Sequence, residues 1–450
     1  MGIQTGPLPW RSGLSENAKV GIVGCSNGRL PSEKEELAKL ADELRQMGLN
    51  AVFSDCIYAG KSVFSAAASE RAAALMRFYE DEEIQAIFDI SGGDIANELL
   101  PYLDFDAIAA SGKLLWGYSD LTTILNAVYA RTGRPCVLYQ ARNLVGREAV
   151  RQQAAFYSSV RRGKSDLFTF PYRFLRGDHL QGVVAGGNIR CLLKLAGTPW
   201  WPDMTGKILL LEAFGGDVPK MVTYLSQLKQ MGVFEQVRGI LLGTFTQMEE
   251  KRMVPDMAEL VLAFTGDDMP VAQTKWIGHG SNARAIIIGR ELSLCRENIP
   301  INENLRLRRN DGNYDFAYAW YQDPETVYLV DGVKKPYTRE QLAAMYTWLD
   351  QRGELYFIEI REDEDWRPIG DVTFWQEDMP IVIGEKACRG RGIGSAVIEK
   401  LVERGRELGY GFLLVEEIYH YNEASRKMFE RVGFRPVAAT EKGYRYRLDL

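Results

Sequence analysis

Residues 114–122 read Leu-Leu-Trp-Gly-Tyr-Ser-Asp-Leu-Thr, an apolar run that stops at a glycine and is followed by a serine. The apolar run predicts a buried strand, and residues 122–130 predict the helix after it. Ser119 would then lie between a strand end and a helix start, where backbone N–H groups and the helix dipole favour developing negative charge. That position suits a nucleophilic hydroxyl with a base nearby, and it also suits a serine that only caps the helix.

The flanking sequence repeats this alternation of strand and helix. Strands are predicted at 19–23, 50–53 and 86–90, and helices at 33–47 and 69–79. Such alternation predicts an α/β domain, a parallel sheet with helices on both faces. Ligands of these sheets bind beyond the carboxyl ends of the strands. The Gly92-Gly93 loop and the Ser119 turn both follow apolar runs, so we expect both at that edge.

The length of 450 residues suggests about three units of ordinary size. The composition turns polar and basic around residues 163–182, which predicts a crossing between domains. Buried strands at 208–212, 239–243 and 285–289, with few helices, then predict a smaller β-rich domain. An α+β pattern follows to the end of the sequence. The predicted domains are therefore 1–165, 180–302 and 303–450.

The net charge and the cysteine pattern argue against several classes of protein. The net charge of −6 argues against nonspecific binding to nucleic acid or to anionic membranes. Six scattered cysteines without a C-x-x-C pair are typical of reduced core residues, not of a disulfide framework or a metal site. No leader pattern is visible in residues 1–13, and no apolar run reaches about 18 residues. We therefore expect a cytoplasmic protein with no bound metal.

A base for Ser119 would come from a short list if it is a histidine, because the chain has only three. His279 lies between two glycines, which leave the imidazole unobstructed, although a histidine in a turn is also typical of a surface residue. Glu212 ends an apolar strand run, where a carboxylate is either exposed or buried with a partner.

Together these motifs match a family. The order serine, glutamate, histidine resembles the L,D-carboxypeptidase family of serine peptidases, which includes the microcin C self-immunity peptidases. The resemblance covers about residues 19–300 and rests on the G-Y-S-D turn at 117–120, the L-L-E strand end at 210–212 and the G-H-G turn at 278–280. The S-G-G-D loop at 91–94 and the G-G-N loop at 186–188 add to it.

This resemblance implies roles for the residues. Ser119 would be the nucleophile, His279 the general base and Glu212 the residue that orients the imidazole, while the N–H groups of Gly93 and Asp120 would form an oxyanion hole. No cofactor is implied. The chain departs from the family pattern at 94–96, which read Asp-Ile-Ala where we expect G-Y-G. The turn also lacks the second glycine of the G-x-S-x-G elbow, so it gives no support for a lipase or esterase.

A second motif lies near the C-terminus. The run R-G-R-G-I-G at 389–394 follows an apolar run at 381–383 and precedes a helix predicted at 396–408. A glycine-rich turn of this kind presents N–H groups to phosphate. The spacing resembles the acetyl-CoA loop of GNAT acetyltransferases, and the resemblance covers residues 305–450.

That resemblance implies an acetyl-CoA site. The pyrophosphate would be bound by Arg389, Gly390, Arg391, Gly392, Ile393 and Gly394, with Asn422 beside the cofactor arm. Phe429 stands where many members carry a tyrosine that serves as general acid. Tyr419 or Tyr421 could replace it, or positioning of the two reactants could suffice.

The sequence therefore predicts a serine peptidase or amidase fused to an N-acetyltransferase. Its partner would be a small molecule, either a murein tetrapeptide or a microcin C-like aminoacyl or peptidyl nucleotide. The alternative is a small-molecule-binding sensor in which one or both domains are inactive. A homodimer is left open.

Overall fold

The computed structural model describes residues 2–4, 13–295, 298–310, 312–363 and 365–450. The chain divides into two compact units, Met1–Cys295 and Arg296–Leu450. The predicted domains 1–165 and 180–302 thus fall almost entirely within the first unit. No helix of the described residues is both long and apolar enough to cross a membrane.

The first unit carries fourteen of the described strands and ten of the described α-helices. Its strands are β1 (Gly2–Gln4), β2 (Ala18–Val23), β3 (Leu49–Phe53), β4 (Ile84–Asp89), β5 (Leu114–Gly117), β6 (Cys136–Leu138), β7 (Thr169–Phe170), β8 (Arg173–Arg176), β9 (His179–Asn188), β10 (Ile208–Ala213), β11 (Gly239–Phe245), β12 (Val271–Gln273), β13 (Ile286–Ile288) and β14 (Glu291–Cys295). Its helices are α1 (Lys34–Gln46), α2 (Ala68–Glu80), α3 (Phe105–Ser111), α4 (Thr122–Thr132), α5 (Ala149–Phe156), α6 (Ile189–Leu193), α7 (Val218–Gln230), α8 (Val233–Gln236), α9 (Thr246–Glu250) and α10 (Met257–Phe264).

The first sheet confirms the predicted parallel α/β architecture. Its order is β13-β6-β5-β4-β2-β3, and all pairs except β13 with β6 are parallel. Helices α1 and α5 pack on one face, and α2, α3 and α4 pack on the other. Because the sheet is covered on both faces, its strands read as continuous apolar runs.

The second sheet has the order β7-β1-β14-β9-β10-β11-β12-β8, with β9 to β12 parallel. Helices α6 to α10 contribute to the core on one of its faces, so this lobe has more helix than the sequence predicted. The strand predicted at 285–289 was assigned to the wrong sheet, because β13 pairs with β6 of the first one. An apolar run reports burial, and it does not report which neighbour the strand pairs with.

Helix α4 ties the two sheets of this unit together. The Asn126 amide donates to Gly186 O (2.9 Å) and accepts from Gly186 N (2.8 Å). The N–H of Asn188 donates to Thr122 Oγ1 at 3.0 Å. Since α4 begins just after Ser119, these bonds fix the Ser119 turn against the end of β9, the neighbour of β10.

The second unit is α+β, as predicted. Its strands are β15 (Ile299–Asn302), β16 (Leu305–Arg309), β17 (Glu354–Glu362), β18 (Asp365–Phe374), β19 (Ile381–Ile383), β20 (Phe412–Tyr419), β21 (Arg435–Ala439) and β22 (Gly443–Asp449). Its α-helices are α11 (Pro324–Asp331), α12 (Arg339–Arg352), α13 (Ile393–Glu407) and α14 (Glu423–Val432). An aromatic-rich 3₁₀-helix, Asp315–Gln322, precedes α11.

Strands β15 to β19 form one antiparallel sheet, and β20, β22 and β21 form another. The sheets are joined near the turn before β19, where Leu414 N donates to Gln376 O at 2.9 Å. Further along, β19 and β20 are not paired, and a cavity opens between them.

Candidate active sites

Ser119 lies in a strained turn at the carboxyl end of β5. Its φ is +53°, a left-handed conformation that costs a residue with a Cβ about 1 kcal/mol or more. A side chain at Gly117 would place its Cβ 2.7 Å from that of Leu121, so the turn needs a glycine there. The N-cap of α4 is Leu121, and no side chain caps that helix. The structure therefore gives no support to Ser119 as a helix cap.

Glu212 and His279 meet as a hydrogen-bonded pair. His279 Nδ1 lies 2.7 Å from Glu212 Oε2, and the two side chains are 9% and 2% exposed. A carboxylate can only accept, so Nδ1 carries the proton of this bond. The turn before His279 approaches β10 closely because Gly243 lies between them. A Cβ at Gly243 would be 2.4 Å from Ile277 O and 3.1 Å from the Glu212 Cβ.

The surroundings of His279 increase the affinity of its ring for a proton. Burial disfavours the charged ring, but the charge and hydrogen bond of Glu212 outweigh burial and raise the pKa of His279 above its ordinary value of 6.5. His279 Nε2 is buried and has no hydrogen-bond partner among the described residues. Ser119, Glu212 and His279 line one recess of about 10 Å³. The free nitrogen thus shares a recess with the serine.

Two loops flank Ser119. Gly93 has a φ of +131°, and a Cβ there would lie 2.1 Å from the Asn27 side chain, so only glycine fits. Asn27 Oδ1 accepts from Asp94 N at 3.0 Å and holds this loop. The carboxylate of the fully buried Asp120 accepts from Ser26 Oγ (2.7 Å) and Ala96 N (2.8 Å). The N–H groups of Gly93 and Asp120 donate to no other described group.

Helix α6 and the residue after it supply contacts that the sequence did not reveal. Arg190 Nη2 donates to Gly93 O at 2.8 Å, and its other nitrogen pairs with the Asp94 carboxylate. Lys194 Nζ donates to Asp94 O at 2.7 Å and pairs with the Asp120 carboxylate. These two cations therefore hold both loops beside Ser119. In the sequence, these two cations are visible only as basic residues four positions apart at a short helix. That spacing predicts that they lie on one side of the helix, but it does not identify their distant partners.

In the second unit, the glycine-rich loop borders the cavity between β19 and β20, whose volume is about 920 Å³. Gly390 and Gly392 have φ values of +71° and +81°, and nothing lies within 4 Å of a Cβ built on either. Gly392 is the N-cap of α13, so N–H groups of that helix start at the cavity. Lys427 and Arg431 also line it. An open glycine loop with nearby cations fits the phosphates of acetyl-CoA.

The structure places the other predicted cofactor residues as follows. Arg389 lines the cavity, but its guanidinium donates to Ile383 O (2.8 Å) and Thr326 Oγ1 (2.7 Å). Ile393 and Gly394 line the cavity, whereas Arg391 is exposed and is not among the lining residues. Asn422 also lines it, yet its amide caps α14 through Ser425 N (3.1 Å) and donates to Leu329 O (3.2 Å).

The two candidate replacements for the absent tyrosine differ in position. Phe429 is buried and packs against Phe434, with ring centroids 5.2 Å apart. Tyr419 lines the cavity, whereas Tyr421 is outside it and donates its hydroxyl to Tyr328 O at 2.8 Å. Of the two, only Tyr419 is placed to face a bound ligand.

Comparison with known proteins finds family matches for both units. Residues 20–140 match the LD-carboxypeptidase N-terminal domain, and residues 181–294 match the C-terminal domain of the same family. Residues 304–435 match the GNAT acetyltransferase domain. The chain therefore belongs to the LD-carboxypeptidase family through its first unit and carries a GNAT domain in its second.

Three individual matches illustrate these similarities. The microcin C7 self-immunity protein MccF of Escherichia coli is 26% identical over 67% of this chain and 98% of its own length. The murein tetrapeptide carboxypeptidase of Pseudomonas aeruginosa is 28% identical over 47% of this chain and 73% of its own. A solved structure of MccF in complex with glutamyl sulfamoyl guanosine has a TM-score of 0.55 at 21% identity, and the match covers 66% of this chain and 99% of that one.

Proposed function

We propose that the first unit is a serine hydrolase that cleaves an amide bond. The observation that carries this proposal is the joint lining of one recess by the strained Ser119 and the His279–Glu212 pair. Ser119 Oγ bonds to the substrate carbonyl carbon while His279 Nε2 takes its proton. His279 then gives that proton to the leaving nitrogen as the C–N bond breaks, and water hydrolyses the acyl-enzyme. The N–H groups of Gly93 and Asp120 donate to the developing oxyanion.

Two substrate classes fit the relatives: a murein tetrapeptide that loses its terminal D-residue, and a microcin C-like aminoacyl or peptidyl nucleotide. The fused GNAT domain favours the second, because cleaving the acyl link and acetylating a free α-amino group would each inactivate such a compound. Six free thiols accord with the cytoplasm as the proposed location.

The test is hydrolysis of a murein tetrapeptide and of an aminoacyl sulfamoyl adenosine by wild-type protein and by Ser119→Ala. We expect the variant to lose about 10⁴-fold or more in kcat with an unchanged circular dichroism spectrum. A serine-directed phosphonate should label Ser119 of the wild type. Unchanged turnover in the variant would refute the assignment, and binding without turnover or labelling would favour the sensor alternative.

We propose that the second unit is an acetyl-CoA-dependent N-acetyltransferase. Acetyl-CoA supplies the activated acetyl group, and residues 389–394 would bind its pyrophosphate through backbone N–H groups. The Arg389 side chain already donates hydrogen bonds to Ile383 O and Thr326 Oγ1, so we propose that it shapes the loop and does not contact the pyrophosphate. Of Tyr419 and Tyr421, only Tyr419 lines the cavity, which supports assigning to it the proton for the thiolate leaving group.

Isothermal titration with acetyl-CoA tests this second activity. We expect binding by the wild type and about a tenfold weaker affinity in Gly392→Val, because the side chain would strain a position with φ of +81° and cover the start of α13. Gly312→Val is the matched control, since it also has positive φ and open space but does not line the cavity. An absence of heat for the wild type at high ligand concentration would contradict the proposal.

A further inference from the structure

Arg284 lines the same recess as Ser119, Glu212 and His279, and nothing in the catalytic scheme uses it. It lies five residues after His279, just before β13. Its N–H donates to Trp276 O at 2.6 Å, which closes the turn that also carries His279. The base of the Arg284 side chain is therefore fixed relative to the His279 turn.

One donor nitrogen of the Arg284 guanidinium has no acceptor among the described residues. Its Nη1 is buried without a hydrogen-bond partner, and none of the described carboxylates forms an ion pair with it. Its close contact is the face of Trp276, with the guanidinium carbon 5.4 Å from the ring centroid. A ring face attracts the charge, but it accepts none of the in-plane N–H donors. Buried donors of a charged group without acceptors are costly, so an acceptor from outside the chain is expected.

The charged groups around Arg284 do not neutralise it. Tyr139, which lines the same recess, acts on it most strongly of these groups, but burial raises the pKa of Tyr139, so its phenol carries no charge at neutral pH. Asp166 and Arg151 act on Arg284 from a distance with opposite signs. The Asp166 carboxylate already accepts from Ser158 Oγ. Burial lowers the pKa of Arg284, but a guanidinium stays protonated at neutral pH. The recess thus combines a nucleophile, a base and a cation that is not neutralised.

The geometry points to Arg284 as a substrate-binding residue that donates Nη1–H to an anionic oxygen on the leaving group. This inference rests on the proposed hydrolase function. The recess of about 10 Å³ admits one oxygen-sized group, so the oxygen enters while the rest of the leaving group lies at the mouth. Both substrate classes carry such an oxygen next to the scissile C–N bond: the carboxylate of a C-terminal amino acid, or the phosphate oxygen of an aminoacyl phosphoramidate.

The experiment uses two matched substrate pairs. One is a tetrapeptide ending in D-alanine and the same peptide ending in D-alaninamide. The other is an aminoacyl phosphoramidate of adenosine and the neutral 5′-aminoacylamino-5′-deoxyadenosine. The pair that wild-type enzyme hydrolyses identifies the source of the anion. We expect the charged member to be preferred, chiefly through KM.

The variants are Arg284→Gln, Arg284→Lys and Arg151→Gln. Arg284→Gln should raise KM for the charged substrate about 10- to 100-fold, with a smaller effect on kcat and none on the neutral analogue. Arg284→Lys should restore part of the affinity. Arg151→Gln removes the same charge from an exposed neighbour outside the recess, so it should behave as wild type.

Equal losses for charged and neutral substrates in Arg284→Gln, or no preference in the wild type, would overturn the inference. Thermal melting of each variant separates these results from misfolding. If the wild type hydrolyses none of the four compounds, the proposed hydrolase function is refuted, and the role of Arg284 is tested separately by binding. Calorimetric binding of the same compounds to wild type and Arg284→Gln then decides the inference, since equal affinities in both proteins would refute it.

Discussion

At the scale of single residues, the His279 ring is placed between two opposing influences. Its burial disfavours the imidazolium, and the adjacent Glu212 carboxylate stabilises it more strongly, so the pKa of His279 is raised. Two aromatic rings flank it, with centroids 5.7 Å away at Tyr118 and 5.3 Å away at Phe214. The Glu212 carboxylate therefore raises the proton affinity of the proposed base against the effect of burial.

This balance predicts a pH profile. A general base must be neutral, so kcat/KM rises as pH rises through the pKa of His279, and the midpoint should lie above 6.5 in the wild type. Glu212→Gln removes the stabilising charge and leaves the burial, so the midpoint should move below 6.5 while kcat falls. The pH dependence of kcat/KM measures this shift, or NMR titration of His279 where turnover is too slow. Glu250→Gln, at an exposed position, is the control, and an unchanged midpoint in Glu212→Gln would contradict the prediction.

At the scale of elements, the Ser119 turn depends on α6 and the residue that follows it. Asp120 is fully buried. Its carboxylate forms an ion pair with Lys194 and accepts hydrogen bonds from Ser26 Oγ and Ala96 N. A second fully buried charge, Arg71 on α2, donates to Cys25 O at 2.8 Å and pairs with Glu98 at 2.5 Å. Ion pairs at the ends of buried strands thus hold loops that have little apolar surface of their own.

Lys194→Met should therefore be costly. It leaves the Asp120 carboxylate buried without its cation, and we expect a loss of about 3 kcal/mol in the free energy of unfolding. Asp120→Asn combined with Lys194→Met should recover part of that loss, because the buried charge is gone. Urea denaturation followed by circular dichroism measures both, with the exposed Lys229→Met as control within about 0.5 kcal/mol. Similar stability of Lys194→Met and Lys229→Met would show that the pair contributes little.

At the scale of the whole molecule, the residues of each proposed activity lie within one unit. Ser119, Glu212 and His279 belong to Met1–Cys295, and the glycine-rich loop belongs to Arg296–Leu450. Each unit has its own hydrophobic core. Strand β1 completes the second sheet of the first unit by pairing with β7 and β14, so that unit needs its N-terminal strand.

Separate expression of residues 1–295 and 298–450 should yield two folded proteins. Each core is closed within its fragment, so we expect one cooperative melting transition for each. The first fragment should retain hydrolysis within about twofold, and the second should retain acetyl-CoA affinity. Calorimetric melting and the two assays check this, and aggregation of either fragment would show that the units depend on each other.

Much of this organisation follows from local sequence. Runs such as 19–23 and 114–117 are apolar without alternation, which is the mark of strands covered on both faces, and they form parallel strands in the structure. The motifs at 117–120, 210–212 and 278–280 marked Ser119, Glu212 and His279 as candidates by their positions after a strand or in a glycine turn, and the family resemblance joined them into one set. The R-G-R-G-I-G run likewise predicted a loop before a helix, and α13 begins at its Ile393.

Local sequence was sufficient to predict the strands and helices of the first sheet, the turn at Ser119 and the glycine loop, because these depend on neighbours within a few residues. Long-range packing was needed to pair β13 with the first sheet, to bring Lys194 to Asp120 across 74 positions, and to place Arg284 in the recess of Ser119, where no described carboxylate forms an ion pair with it. These outcomes depend on which distant charges and edges packing brings together, and no local periodicity encodes that.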